Sequence, residues 1–299
     1  MLLCPPPLFM KRSKLSISGI KFMIASACAF SIMGLAVKLA AEDIHPFQVV
    51  FFRSFVGLLI ILFFIHRKKV SLFGNEKKLM VLRGISGFLA LLLHFYTIKH
   101  LELGTAITLN YMAPIFVCLF SARFLGEKPS RLFYGLIFIS FAGVAMMNLQ
   151  KGLVWDTNIA IAVLSAVFAS VAYLSIRSIK KKESPFTVIF YFTGISTLGS
   201  LFFISTWTWP SFQSWGLIAV IGVGSFYGQL WLTTAMRRAP AWLASPFIYL
   251  NPVLSSIYGL ILFGEGANHL FWGGLALIVV SGILISLFGA QRPAAAGET

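Results

Sequence analysis

The chain is 299 residues long, 58% hydrophobic and only 11% charged, with a mean hydropathy of +0.88. A soluble domain of this length needs far more polar surface to cover its exterior, and an aromatic content of 15% rules out a disordered chain. The net charge of +15 does not mark a nucleic-acid binder, because nearly every Lys and Arg lies in a short stretch between apolar runs, where membrane insertion places them.

A helix that spans a bilayer needs ~20 mostly apolar residues. In chain order the runs that qualify are Ile20–Ala40, Pro46–Ile65, Leu79–Ile98, Thr105–Phe124 and Leu132–Leu149. Asn158–Ile176, Pro185–Thr206, Trp215–Ala235, Ala241–Phe263 and Leu270–Phe288 follow. The expected fold is therefore all-α and integral to the membrane, with ten transmembrane helices. With the N-terminus in the cytoplasm, 20 of the 24 Lys and Arg fall on the inner side. Lys38, Lys99 and Lys151 fall on the outer side, and Arg53 lies within a span. That asymmetry predicts a multi-pass protein of the inner (cytoplasmic) membrane with both termini cytoplasmic.

The sequence repeats itself. Tyr111, Pro114, Gly126, Glu127, Phe133 and Gly135 match Tyr249, Pro252, Gly264, Glu265, Phe271 and Gly273 at one ungapped offset of 138 residues. The chain then divides into a cytoplasmic tail 1–19, a five-helix repeat 20–150, a second five-helix repeat 157–289 and a tail 290–299. Five is odd, so the second repeat enters the membrane from the opposite side. Two inverted five-helix repeats are an architecture from which many secondary carriers are built.

Around these residues the sequence resembles the drug/metabolite transporter superfamily, specifically its EamA-like ten-helix permeases. Phe51-Phe52-Arg53 in the second helix and Arg83-Gly84 at the start of the third share the likeness, and resemble the S-adenosylmethionine carrier branch. The resemblance implies a secondary transporter of a small metabolite and leaves the substrate open.

Ionisable groups inside hydrocarbon are costly, so Arg53 is the sharpest candidate for a substrate ligand. It either binds a substrate carboxylate or phosphate through its fork of donors, or snorkels outward toward Glu42 and Asp43. Arg83, Gly87, Ala90 and His94 share one small or polar face of the third helix. Arg83, near the cytoplasmic end, is read as snorkelling; His94 is either a hydrogen-bonded neutral ring or a substrate contact or proton carrier. Asn110, Tyr111, Tyr249 and Asn251 flank Pro114 and Pro252, prolines expected to free a backbone carbonyl and act as hinges. Gln229 completes the candidate substrate site, and Glu127 and Glu265 are candidate gates. Helices five and ten should lie at the periphery.

No carboxylate falls in the middle of a span, so exchange or facilitated movement needs fewer assumptions than proton coupling. The sequence reading is thus a secondary transporter moving a small polar metabolite by alternating access, an amino-acid or nucleotide-like compound such as S-adenosylmethionine. The alternative is an exporter of amino acids or drugs; a channel or a membrane enzyme fits less well, since no clustered metal ligands or nucleophile–base motif occurs. No cofactor or metal is expected. The expected partners are the small-molecule substrate and the lipid bilayer, not nucleic acid, with the chain acting as a monomer or homodimer.

Overall fold

The computed structural model describes residues 8–40, 43–100, 109–126, 129–148, 157–179, 182–263 and 268–290. Among these residues the chain is helical, with no strand. The helices are α1 (Leu8–Ala40), α2 (Pro46–Lys68), α3 (Lys77–His100), α4 (Ala113–Phe124) and α5 (Arg131–Asn148). They continue as α6 (Thr157–Ser178), α7 (Pro185–Ser200), α8 (Phe212–Arg238), α9 (Leu250–Phe263) and α10 (His269–Ala290). Each overlaps one of the apolar runs. Six helical stretches, in α1, α2, α3, α6, α7 with its 3-10 extension, and α8, are long and apolar enough to cross a membrane. Shorter apolar segments occur in α4, α5 and α10.

Local chemistry sets the helix ends. In α2 the His45 side chain accepts from the Phe47 amide and Pro46 opens the first turn; in α7 the Ser184 hydroxyl accepts from the Phe186 amide and Pro185 opens the turn. His45-Pro-Phe-Gln-Val-Val-Phe and Ser184-Pro-Phe-Thr-Val-Ile-Phe are the same start, 139 residues apart (184 − 45). α2 stops at Lys69, which takes a left-handed conformation (φ 51°), after the basic turn His66, Arg67 and Lys68.

The two halves interlock, and the contacts repeat when the halves are exchanged. α1 packs on α8 as α6 packs on α3; α2 on α8 as α7 on α3; α1 on α9 as α6 on α4; α2–α7 and α5–α10 are self-equivalent pairs. Individual residues obey the same exchange. The Ser26 hydroxyl donates to the Gly228 carbonyl at 2.7 Å, and the Ser165 hydroxyl to the Ala90 carbonyl at 2.8 Å. A Cβ on Gly222 would strike Val56, and one on Gly84 would strike Ile195. These partners are related by 138 or 139 positions throughout (228 − 90, 222 − 84, 165 − 26, 195 − 56). Lipid gives helices no hydrophobic reason to associate, so close backbone approach at small residues and interhelical hydrogen bonds hold the bundle. The burial pattern agrees: Ser26, Ser31, Thr97, Ser165, Ser196 and Thr233 are inside, while Leu59, Phe63, Phe138 and Val280 are exposed.

The loops interlock in the same way. At the N-terminal end of α2, the Asp43 carboxylate accepts from the Ser211 amide (2.7 Å) and the Ser214 hydroxyl (2.6 Å) at the start of α8. The Gln48 side chain donates to the Thr208 carbonyl (2.6 Å) and accepts from its amide (3.0 Å). At the opposite end of α2, the Glu183 carboxylate before α7 accepts from the Asn75 amide before α3 (2.7 Å), and Thr187 donates to the Ser71 carbonyl (2.6 Å). Each end of the bundle is therefore clasped by one carboxylate that ties two connections together. α5 and α10 pack on one another, joined by a 2.7 Å bond between the Ser140 and Ser281 hydroxyls.

The helices before Pro114 and Pro252 are broken at equivalent places. Leu109–Asn110 is separated from α4 by a turn at Tyr111–Met112. One α turn at Ala241–Ala244 and a 3-10 segment at Ser245–Tyr249 precede α9. Proline cannot donate to the carbonyl four residues earlier, so Asn110 and Ile248 each lose that bond and the regular helix begins only around the proline. Pro114 thus sits in the first turn of an α-helix rather than in the middle of one.

Candidate functional site

The centre of the bundle holds two buried arginines. Arg53 of α2 is 4% exposed and Arg83 of α3 is 3% exposed. Arg53 turns inward and donates to the Ser225 hydroxyl of α8 through Nε (3.2 Å) and Nη2 (3.0 Å). It does not snorkel toward Asp43, whose carboxylate is engaged by Ser211 and Ser214. Arg83 departs from the sequence expectation. Instead of reaching for the interface, it donates from Nη2 to the Gln229 side-chain oxygen at 2.8 Å. Its guanidinium lies 4.3 Å from the centre of the Phe192 ring.

Gly87 explains why Arg83 can do this. A Cβ at that position would strike both the Arg83 guanidinium and the Phe192 ring. The missing side chain, one turn along the same helix, leaves a slot in which the guanidinium sits over the aromatic face. Ser225 and Gln229 are also one turn apart on α8, so the two guanidinium partners stand on one face of one helix. Both partners are neutral. Among the described residues, no carboxylate is paired with either arginine, and Arg83 Nε is buried without a hydrogen-bond partner.

Other candidate residues gather near this pair. Arg53 is close enough to act electrostatically on both Arg83 and His94, and Tyr173 of α6 on both Arg83 and Tyr111. His94 Nδ1 is buried without a hydrogen-bond partner among the described residues. Asn110 donates to the Ser165 hydroxyl (2.9 Å), which itself donates to the Ala90 carbonyl, so this amide ties the broken start of the fourth helix to α6 and α3. The Asn251 side chain reaches the Tyr111 hydroxyl and accepts from Ser255 at 3.3 Å. Tyr111 and Tyr249, equivalent residues of the two halves, face one another with ring centres 6.3 Å apart. The Tyr249 hydroxyl is buried without a partner among the described residues. Glu127 and Glu265 lie outside the described residues.

Arg83 and Ser225 are the residues that sequence reasoning misjudged or overlooked. The available signals were Gly87, one turn after Arg83, and the match of Gly84-Ile-Ser-Gly87-Phe88 with Gly222-Val-Gly-Ser225-Phe226. Two hollows lie away from the arginines. A groove of about 590 Å³ between α1 and α8 is lined only by apolar contacts such as Ala29, Ile32, Val223 and Trp231. A recess of about 360 Å³ near the Asp43 clasp is lined by Gln48, Phe52, Trp207, Trp209 and Trp215. Neither is lined by a charged side chain; the buried arginines lie elsewhere, inside the bundle.

An all-helical, lipid-facing bundle of two equivalent halves around buried polar groups is the architecture of a membrane transporter. The chain belongs to the EamA-like transporter family, whose profile matches residues 17–149 and 157–287, one match for each half. It is 33% identical over 276 residues to the pseudopaline exporter CntI of Pseudomonas aeruginosa, covering 90% of this chain and 96% of that protein. It is 23% identical over 281 residues to the S-adenosylmethionine uptake transporter of Rickettsia prowazekii, covering 93% and 95%. A solved crystal structure superimposes with a TM-score of 0.80 at 18% identity, covering 94% of this chain and all of the other.

Proposed function

We propose that this protein is a secondary carrier that moves a small metabolite bearing an acid group across the cytoplasmic membrane by alternating access. In this reading ten helices span the bilayer as two inverted five-helix repeats, with both termini in the cytoplasm. The 20-to-3 distribution of Lys and Arg and the exchange of contacts between the halves support it. Such a two-fold relationship lets one chain adopt two related states, opening either the Asp43 clasp or the Glu183 clasp. The site comes from one chain, so a monomer suffices.

The observation that carries the substrate charge is Arg53, which is permanently cationic, 4% exposed and, among the described residues, hydrogen-bonded to the neutral Ser225 hydroxyl alone. A carboxylate or phosphate from the substrate supplies the missing counter-charge through charge-assisted bonds. The same bookkeeping favours exchange: an empty carrier must reorient around uncompensated cations, whereas a loaded one is neutralised. Export is the favoured direction, because the relative at 33% identity is named as an exporter and the uptake transporter stands at 23%.

Uptake and counterflow of a metabolite panel in proteoliposomes test the reading, with Arg53→Gln alongside the wild type. Saturable counterflow of an anionic metabolite that Arg53→Gln abolishes is the expected result. Normal transport by a folded Arg53→Gln protein makes Arg53 a structural anchor and removes the case for an anionic substrate.

A further inference from the structure

We propose that the substrate carries two acidic groups, one for Arg53 and one for Arg83. This rests on Arg53 being a substrate ligand and extends that role to a second, separately built subsite. Each guanidinium offers five N–H donors and cannot deprotonate. Among the described residues, Arg53 meets one hydroxyl and Arg83 one amide oxygen and one aromatic face. Arg83 Nε is buried and points at no acceptor among the described residues.

An arginine placed only to pack would take its charge to water, which its long side chain permits near a helix end. Arg83 does the opposite, and the chain makes room for it: the slot exists because residue 87 is glycine. No described carboxylate answers either charge. Asp43 and Glu183 are committed to the loop clasps, and Glu76 lies in the connection before α3. The two cations therefore lie within electrostatic reach of one another and share one deficit, two negative charges.

The spacing narrows the ligand. Ser225 and Gln229 are one turn apart on α8, which puts their Cβ atoms roughly 5–6 Å apart. Acid groups separated by a few bonds match that interval, as in short dicarboxylates and carboxylate–phosphate compounds. A compound with one carboxylate and a cationic centre, such as S-adenosylmethionine, satisfies one arginine and sets its own positive charge against the other.

The test uses the full-length protein in phosphatidylcholine nanodiscs, which contain no anionic lipid. Binding is read as the shift in Tm with succinate, glutarate and aspartate, against butyrate, valerate, alanine and S-adenosylmethionine. We expect at least one dianion to bind roughly ten- to a hundredfold more tightly than its matched monoanion. Arg83→Gln should bring that dianion down to the affinity of the monoanion, and Arg83→Lys, which keeps the charge in a folded protein, should retain part of the preference.

Equal affinity for dianions and monoanions overturns the proposal, as does the failure of every dianion to bind. It is equally overturned if dianion affinity survives in folded Arg83→Gln while Arg53→Gln abolishes it; the carrier then takes a single acid group, held by Arg53. Failure of Arg53→Gln to change any affinity removes both. If phosphatidylglycerol, and none of the soluble dianions, raises Tm in an Arg83-dependent way, the anion belongs to a lipid headgroup and the proposal fails.

Discussion

Phe192 occupies in the second half of the chain the place that Arg53 occupies in the first. The two are 139 positions apart (192 − 53), each in a helix that opens with a Pro-Phe start. Arg53 meets Ser225 of α8, and Phe192 meets Gly87 of α3, the residue equivalent to Ser225. The scaffold is thus close to two-fold while its centre is not: one side presents a cation and the other an aromatic plate, onto which the cation of Arg83 folds. Exchanging the halves exchanges the backbone and leaves the chemistry asymmetric.

Arg53→Lys keeps the charge and loses the planar fork, whereas Arg53→Gln loses both. The expected cost in substrate affinity is about 1.5–3 kcal/mol for Arg53→Gln, with Arg53→Lys intermediate. The substrate-free protein should be as stable as the wild type or more so in Arg53→Gln, since a buried cation with no carboxylate partner is removed. Melting in detergent with and without substrate separates the two effects.

The repeat predicts unequal costs at equivalent glycines. Gly222→Ala drives a methyl into the stiff branch point of Val56, while Gly84→Ala meets chiefly the flexible end of Ile195. Overpacking at Gly222 should cost ~1–3 kcal/mol, and Gly84→Ala less. Val56→Ala keeps the Cβ that the new methyl strikes, so Val56→Gly is the rescuing change: added to Gly222→Ala it should recover part of the loss, and a strictly additive double mutant, measured by thermal unfolding, would show that the two residues do not touch.

Asp43 should hold its clasp over the whole physiological pH range. Hydrogen bonds from the Ser214 hydroxyl and then the Ser211 amide hold its carboxyl below the usual range. A depressed folded pKa gives a contribution that is present above the unfolded value, roughly 3.9, and is lost only as pH falls through the still lower folded value. Emission from Trp207, Trp209 and Trp215 beside the clasp should therefore stay constant from about pH 8 to 5 and shift only in stronger acid. Asp43→Ala should give the shifted emission at neutral pH.

Transport should be stimulated by substrate on the opposite side and should carry no obligatory proton. Counterflow rates several times the net flux are expected, unchanged when a pH gradient is collapsed. Accumulation driven by a pH gradient alone, abolished by His94→Ala, would make His94 the proton carrier instead.

The apolar runs, their lengths and the match of Tyr111 and Pro114 with Tyr249 and Pro252 were enough to read ten helices and two halves from the sequence. Lipid exposure forces long apolar segments and prolines break helices, and both effects are local. Arg53 was legible for the same reason, because a charge inside an apolar run is conspicuous. Arg83 was not. It stands near the start of its run, where snorkelling is the cheaper local solution, and only packing brings the open slot at Gly87, the ring of Phe192 and the amide of Gln229 around it. Ser225 is marked only by its repeat match with Gly87, which names no partner; by local pattern it resembles the serines that bond their own helix, as Ser86, Ser140 and Ser200 do. Its role depends on α2 lying against α8, a contact between residues 172 positions apart. Sequence periodicity determines which segments enter the membrane; which polar side chains meet inside is decided by how the two halves pack, because that meeting depends on contacts no local pattern encodes.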